Sequence, residues 1–371
     1  MKIMPGSYIP VIILMVMAGC SSCLAAGCDV SNPALASSPV LPLQGGAITV
    51  GPDVSNGTIV WHQHFRPTSP VTLDCKNEIP IASSIRGDFA TGLRPSNWSD
   101  GRFPPGSVYQ TDVPGIGVAV YAYDSTQYTV PFTYPLTAIQ KDNYPNDKWM
   151  PHEGIEFDVV LIKTGVIIPG RIGGENLPSV NYSLHSKDRS PVSLGSLRFS
   201  GEINIISRTC ITPDINVPMG DYEISGTFKQ TGNHSPWKDA SIKLVDCPRL
   251  HGIITEGKGA ESGRLQDGDK ISNSIKLSLS PNTSIINSSQ GILGLKNGTD
   301  SASGVGIQLA WGNLSDASPQ MVNFSENKQY ILPDDGSTLF SLPLLARYIQ
   351  TAPLVTPGKA DATVTFTIYY Y

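Results

Sequence analysis

The stretch Gly358-Lys-Ala-Asp-Ala-Thr-Val-Thr-Phe-Thr-Ile-Tyr-Tyr-Tyr371 decides the fold, because its residue types alternate strictly. Successive side chains of a β-strand point to opposite faces, so this period of two predicts a strand with one apolar face. An ordinary half-buried strand at the end of a β-sandwich fits the alternation as well. Counted back from the chain end, the apolar face carries Tyr370, Ile368, Phe366, Val364, Ala362, Ala360 and Gly358.

Residues 1–26 have the layout of a cleaved secretory signal. Lys2 gives it a basic start, an apolar run follows from Ile9 to Ala18, and the small residues Ala25 and Ala26 close it. The apolar run is too short for a membrane anchor. A lipoprotein signal is the alternative, since Met17-Ala-Gly-Cys20 is similar to a lipobox, and processing at Cys20 stays open.

The cysteines indicate an oxidising compartment. Of six cysteines, two fall in the signal, and the other four form two pairs far apart in the sequence. This clustering predicts the disulfides Cys28–Cys75 and Cys210–Cys247, one in each of two domains. Each closed loop would stabilise its domain by roughly 4 kcal/mol in the chain-entropy model. No pair has the short spacing of a zinc site, so we expect no metal and no cofactor.

The composition predicts an all-β protein. The 371 residues include 36 Gly and 30 Pro, and only 15% of them are charged. Short β-branched runs between turn signals recur, and no segment carries a 3.6-residue apolar stripe. The length allows two domains. A formal charge of −5 without basic clusters argues against nucleic acid and against an anionic membrane surface as partners.

The chain divides near Arg208. Before it, residues 196–206 predict a last strand with a glycine bulge or bend, and after it Cys210 opens a new unit. The predicted organisation is therefore a signal peptide over residues 1–26, an N-terminal domain over residues 27–208 and a C-terminal domain over residues 209–371.

Five segments of the second unit stand in the order typical of a fimbrial pilin domain. With the paired cysteines, and with Tyr second and Gly fourteenth from the end, they make the unit resemble subunits of the bacterial chaperone–usher pathway. The segments are Cys210-Ile-Thr-Pro-Asp214, Leu244-Val-Asp-Cys-Pro248, Gly304-Val-Gly-Ile-Gln-Leu309, Leu342-Pro-Leu-Leu-Ala-Arg-Tyr348 and the terminal strand.

The resemblance implies an incomplete immunoglobulin-like sandwich that lacks its seventh strand. A periplasmic chaperone would first add one of its own strands beside the terminal strand, by β-strand addition. The N-terminal strand of the adjacent fimbrial subunit would then replace it during assembly at an outer-membrane usher. The motif residues implied for this contact are Gly358, Val364, Phe366, Ile368 and Tyr370.

The long N-terminal half implies a place at the fibre tip. About 180 mature residues precede the pilin-like unit, and the layout resembles the two-domain tip adhesins of type 1, P and long polar fimbriae. The resemblance implies a lectin-like β-sandwich that attaches the bacterium to a host glycan or glycoprotein, exported through the periplasm to the fimbrial tip. The alternative is a structural tip or minor subunit that initiates or caps the pilus without binding a receptor. An enzyme is not expected, because nucleophile-elbow, HExxH, P-loop and dinucleotide motifs are absent.

Two turn-rich loops of the N-terminal half are candidates for sugar recognition. Sugars are bound by planar carboxylate and amide groups together with an aromatic face. The alternative is that these Asp and Asn residues only form turns and that the Trp residues cap the core. The candidates are Asp142, Asn143, Tyr144, Asn146, Asp147 and Trp149 in the longer loop, and Asn97, Trp98 and Asp100 in the shorter.

Four N-terminal segments are predicted strands: residues 47–50, 58–65, 118–123 and 155–162. In the second of them His62 and His64 share one strand face, as metal ligands can. A solvated strand face is the simpler interpretation, and we expect no metal there.

Overall fold

The structure is a computed structural model that describes residues 29–30, 40–66, 73–74, 83–90, 92–124, 126–136, 148–149, 156–186, 190–256, 260–261 and 269–371. The predicted signal of residues 1–26 and the predicted Cys28–Cys75 disulfide lie outside them. None of the helices in these ranges is long and apolar enough to cross a bilayer.

Nearly all regular structure in the described chain is β-strand, which confirms the all-β prediction. A 3₁₀ turn at Gly174–Asn176 and a short helix α1 at Ile224–Thr227 are the helical elements among these residues. The strands before residue 208 are β1 (Asp29–Val30), β2 (Val40–Pro42), β3 (Ala47–Thr49), β4 (Ile59–Arg66), β5 (Leu73–Asp74), β6 (Ser83–Phe89), β7 (Tyr109–Gln110), β8 (Ile116–Asp124), β9 (Thr126–Thr129), β10 (Phe132–Leu136), β11 (Lys148–Trp149), β12 (Glu156–Lys163), β13 (Gly170–Gly173), β14 (Val180–Ser186), β15 (Val192–Ser200) and β16 (Glu202–Ile206). The strands after it are β17 (Lys238–Asp239), β18 (Ile242–Leu244), β19 (Ile253–Glu256), β20 (Ala260–Glu261), β21 (Asp269–Ile271), β22 (Ser274–Pro281), β23 (Ile285–Asn287), β24 (Ile292–Leu293), β25 (Val305–Trp311), β26 (Gln320–Met321), β27 (Lys328–Ile331), β28 (Phe340–Leu342), β29 (Leu344–Gln350) and β30 (Val364–Tyr370).

Two sheets enclose the N-terminal core. One has the order β10-β6-β14-β15-β2, and the other the order β20-β4-β12-β8-β7, with β9 beside β8. Their facing side chains, among them Trp61, Phe157 and Ile85, form one buried cluster. The four strands predicted in this half are present as β3, β4, β8 and β12, and β12 is buried along nearly its whole length, as expected for a continuous apolar run.

The C-terminal part has its own core between two further sheets. One has the order β17-β29-β25-β24-β23, with β26 beside β25, and the other the order β27-β22-β30. Buried side chains such as Leu277, Leu309 and Leu342 fill the space between them. The predicted disulfide Cys210–Cys247 is present at the start of this part and joins two buried cysteines of the cluster.

Along the chain, buried residues belong to the N-terminal cluster up to Ile205 and to the C-terminal cluster from Cys210, close to the boundary predicted at residue 208. The glycine bend predicted before it is Gly201, which separates β15 from β16 with a φ of 79°. Ile254 is an exception, since it lies far beyond the boundary and is buried in the N-terminal cluster. The division into domains 27–208 and 209–371 stays a prediction.

The described residues 253–256 and 260–261 are named here the arm, because they reach from the C-terminal part to the N-terminal sheet. Its first segment, β19, pairs with β21, and its second, β20, pairs in parallel with β4 through Ala260 and Phe65. His62 lies against it, with Nδ1 3.2 Å from the Thr255 carbonyl oxygen. The arm thus adds an edge strand to the sheet of the other half.

Asn273 holds the base of the arm to the N-terminal part. Its side chain is 6% exposed and accepts a hydrogen bond from the Gly252 amide at 2.9 Å. Its Nδ2 donates to the carbonyl oxygens of Thr49 at 2.8 Å and Tyr371 at 3.2 Å. One buried amide therefore joins three backbone segments from both parts.

The end of β30 contacts the N-terminal part as well. The Tyr370 amide donates to Asp53 Oδ2 at 2.8 Å. A Cβ on Gly51 would lie 2.0 Å from the Tyr370 carbonyl oxygen, so only glycine fits at this approach.

Asp158 of β12 is buried beside two histidines of β4. It accepts hydrogen bonds from His62 Nε2 and from His64 Nδ1, the latter at 3.0 Å, while His64 Nε2 lies 3.3 Å from Glu156 Oε2. Burial works to raise the pKa of Asp158, but the hydrogen bonds from the two histidines outweigh it and hold the pKa below its usual value. The carboxylate is therefore ionised where the sheet meets the arm.

We predict that Asn273→Ala lowers the free energy of unfolding by about 2–4 kcal/mol, because it leaves a buried N–H and buried C=O groups unpaired. Urea unfolding of the full chain measures it. The exposed Asn297→Ala, the matched control, should stay within about 0.5 kcal/mol. Equal effects of the two variants would contradict the bridging role.

We also predict that Asp158→Asn destabilises the chain more at about pH 5 than at about pH 3. The folded pKa of Asp158 is depressed, so its contribution is present above the unfolded value of about 3.9 and is lost as the pH falls through the folded value. Unfolding curves at both pH values measure the difference, with the exposed Asp300→Asn as the control for net charge. A difference that does not depend on pH would contradict the prediction.

Candidate functional site

The alternation predicted for the terminal strand is present in β30. Val364, Phe366 and Ile368 are half-buried and Tyr370 is buried, whereas the residues between them are exposed. The inner side chains pack on the C-terminal core. In the antiparallel register with β22, Phe366 lies opposite Leu279, so two apolar rows face the same way.

Gly358 lies where the chain turns into this strand, against the backbone of residues 300–302. A Cβ at this position would lie 2.4 Å from the Ala302 amide nitrogen and 2.6 Å from the Asp300 carbonyl oxygen. The Ala302 amide donates to the Lys359 carbonyl oxygen at 2.9 Å, which holds the approach. A residue with a side chain would push these two backbone segments apart. The close approach therefore explains why glycine stands at position 358, whether or not it belongs to a motif.

The segment over residues 212–223 contains no assigned strand and pairs with no strand in the described chain. Its side chains nevertheless alternate: Ile215, Val217 and Met219 are half-buried against the C-terminal core, and the residues between them are exposed. This is the side-chain pattern of a strand whose backbone partner is missing.

A groove of about 1140 Å³ lies between this segment and β30. Its floor is apolar and includes Leu279, Ile307 and Leu309. One rim is residues 214–222, and the other is residues 355–364 with Phe366. Among the described residues β30 pairs with β22 alone, so its other edge faces the groove. Both rims therefore present backbone groups that an inserted strand could bond.

The longer candidate loop lies mostly outside the described residues. This applies to Asp142, Asn143, Tyr144, Asn146 and Asp147. Trp149 belongs to β11, which pairs with β5 through Leu73, so its backbone is part of a small sheet. The proposed ligand role of this loop stays a prediction.

The shorter loop is described, and its three candidates differ in their surroundings. Asn97 is exposed. Trp98 packs on a small buried cluster around Phe103, which agrees with a capping role. Asp100 Oδ1 accepts the backbone N–H groups of Arg102 and Phe103, each at 2.8 Å, so this carboxylate also forms the turn.

Asp100 also borders an open pocket of about 540 Å³. Residues 56–59, Arg102 and Thr255 of the arm complete its lining. Sequence patterns did not indicate Asn56, Thr58, Arg102 or Thr255, since their position beside Asp100 depends on the tertiary fold. Of the residues at or beside this pocket, Trp98 and Asp100 are the ones that the sequence pattern indicated as candidates for sugar recognition.

The structure places His62 and His64 on one strand face, as predicted, and both contact Asp158. In the part of the chain that is described, no group of three or more His, Cys, Asp or Glu side chains is arranged to hold a metal ion.

Comparisons with known proteins identify the C-terminal part. The family model "Fimbrial protein" matches residues 197–371. The uncharacterized fimbrial-like protein YraH of Escherichia coli is 28% identical over 186 residues, which are 47% of this chain and 87% of that protein. A fimbria adhesin protein of Klebsiella pneumoniae is 24% identical over 333 residues, covering 88% of this chain and 89% of that one.

Among solved structures, the CupB6 tip adhesin from Pseudomonas aeruginosa covers 92% of this chain and 93% of its own, with 18% identity and a TM-score of 0.35. The resemblance to fimbrial subunits inferred from the five C-terminal segments is confirmed by the family match. Residues 197–371, just under half of the chain, match the fimbrial protein family, and the relatives that align with the chain are fimbrial proteins.

Proposed function

We propose that this fimbrial subunit is a tip adhesin of the chaperone–usher type, which attaches the bacterium to a host glycan or glycoprotein. The groove beside β30 carries the proposal. It would receive a strand from the periplasmic chaperone and, at the outer-membrane usher, the N-terminal strand of the adjacent subunit.

Backbone and side-chain chemistry both favour a strand as the occupant of the groove. Edge groups on β30 need hydrogen-bond partners, and an added strand supplies them along its whole length. The half-buried Val364 and Phe366 on one rim and Val217 on the other would be covered by alternate side chains of the incoming strand. The occupant would complete an immunoglobulin-like sandwich.

The N-terminal part favours the tip over the shaft. It has its own buried cluster of about thirty side chains and two facing sheets, which is far more than a short donor segment needs. A folded unit of this size ahead of the pilin-like part would hinder donation of a strand to a neighbouring subunit, which favours a place at the end of the fibre. The relative that spans most of this chain is itself described as a fimbria adhesin protein.

We predict that Phe366→Asp prevents the subunit from accumulating with its chaperone in the periplasm. The change would put an unpaired carboxylate into the apolar contact with the inserted strand, at a cost of several kcal/mol. Thr365→Asp lies on the exposed face of the same strand and is the matched control. Co-purification of each variant with the chaperone measures the effect, and equal yields would contradict strand insertion beside β30.

We further predict that fimbriae no longer attach to host cells when their subunit carries substitutions on the surface of its N-terminal part. These fimbriae should still assemble, because the groove is intact. Their attachment is compared with that of fimbriae that carry the wild-type subunit. Unchanged attachment across a scan of that surface would favour the structural tip subunit that initiates or caps the pilus.

A further inference from the structure

The pocket beside Asp100 joins side chains from both parts of the chain. Asn56, Thr58, Asp100 and Arg102 come from the N-terminal part, and Thr255 comes from the arm. The arm is fixed there by the burial of Ile254 in the N-terminal core. The pocket therefore depends on the arm lying against the sheet.

Arg102 and Asp100 are held in defined positions at this pocket. The Arg102 guanidinium donates from Nη2 to the Gly57 carbonyl oxygen at 2.6 Å and lies 5.6 Å from the centre of the Phe103 ring. Gly57 has a φ of +92° and presses against Trp98, since a Cβ there would lie 3.0 Å from the Trp98 ring. Trp98 thus supports the wall of the pocket.

The Asp100 carboxylate is oriented with Oδ1 toward the turn and Oδ2 near Gly57, which lines the pocket. Oδ1 takes the two turn amides, whereas Oδ2 lies 3.5 Å from Arg102 Nη2, a long contact that leaves it able to accept an O–H. Partial burial works to raise the pKa of Asp100, but the hydrogen bonds from Phe103 and Arg102 outweigh it and lower the pKa. The carboxylate is ionised, so the lining carries one negative and one positive charge.

This balance selects the class of ligand. A pair of neighbouring ligand hydroxyls can donate to the Asp100 carboxylate and accept from the Arg102 guanidinium, so a polyhydroxy ligand without net charge matches both groups. The amide of Asn56 and the hydroxyls of Thr58 and Thr255 offer further neutral donors and acceptors. The pocket has a volume of about 540 Å³ and is open to solvent, so a bound ring would lie against its lining with one face exposed.

We propose that this pocket binds a neutral hexose ring, with hydroxyls bridging Asp100 and Arg102 and with Thr255 of the arm closing one side. The proposal rests on the proposed adhesive function and names its site. It also makes the binding surface a joint product of the fimbrial domain and the N-terminal part.

The test uses the full chain purified with its chaperone and a panel of neutral methyl hexosides, with N-acetylneuraminic acid as the acidic probe. Isothermal titration and saturation-transfer NMR should detect at least one neutral hexoside with roughly millimolar affinity. Arg102→Ala should weaken it at least about tenfold, and Thr255→Val, which removes only the hydroxyl, about threefold. The exposed Asn56→Trp should block binding by filling the pocket.

Arg171→Ala and Thr133→Val are the matched controls, since both residues are exposed and lie outside the pocket lining. They should leave the affinity unchanged. The proposal is overturned if no neutral hexoside binds, if only the acidic sugar binds, or if Asn56→Trp and Thr255→Val both bind as the wild type does.

Attachment of whole fimbriae to host cells separates this proposal from the proposed function. Attachment that survives Asn56→Trp would overturn the pocket as the receptor site and leave the adhesin intact. If the protein bound a hexoside but wild-type fimbriae did not attach to host cells, the pocket proposal would stand and the adhesive function would be overturned.

Discussion

The unpaired edge of β30 is the constraint on which the C-terminal part depends. Its backbone groups and those of residues 212–223 face one groove, and its inner side chains are only half-buried there. An open edge over an apolar floor invites association with any extended chain. Such a fold is suited to a protein that is handed from one partner to the next, because completion of the sheet and recognition of the partner are the same event.

The junction between the two parts depends on backbone contacts more than on side-chain charge. Asn273 bonds three main-chain groups, Gly51 admits the Tyr370 carbonyl, and the arm adds a strand to the N-terminal sheet. A main-chain group has no rotamer freedom, so a hydrogen bond to it constrains the direction and distance between the two parts closely. The two parts are therefore joined along several segments and not through a single linker.

The sequence predicted what depends on local periodicity and missed what depends on tertiary approach. The alternation of β30, the four N-terminal strands and the Cys210–Cys247 disulfide follow from spacing, because pleat and loop closure are local rules. The arm could not be predicted, since strands as short as β19 and β20 carry no signal of which sheet they join. For the same reason Arg102 and Thr255 were not linked to Asp100, although Asp100 and Trp98 were recognised as candidates.

The contact between Asp53 and the Tyr370 amide has a mechanical consequence. A pull on the N-terminal part would be carried through this bond and through Asn273 into the last residues of β30 and the first residues of β22. These two strands are antiparallel neighbours, so tension would load their shared ladder at one end instead of all rungs at once. The resistance of this corner to traction would then be set by the few bonds around residues 273–275 and 370–371, which act in parallel with the arm and with the covalent link between the two parts.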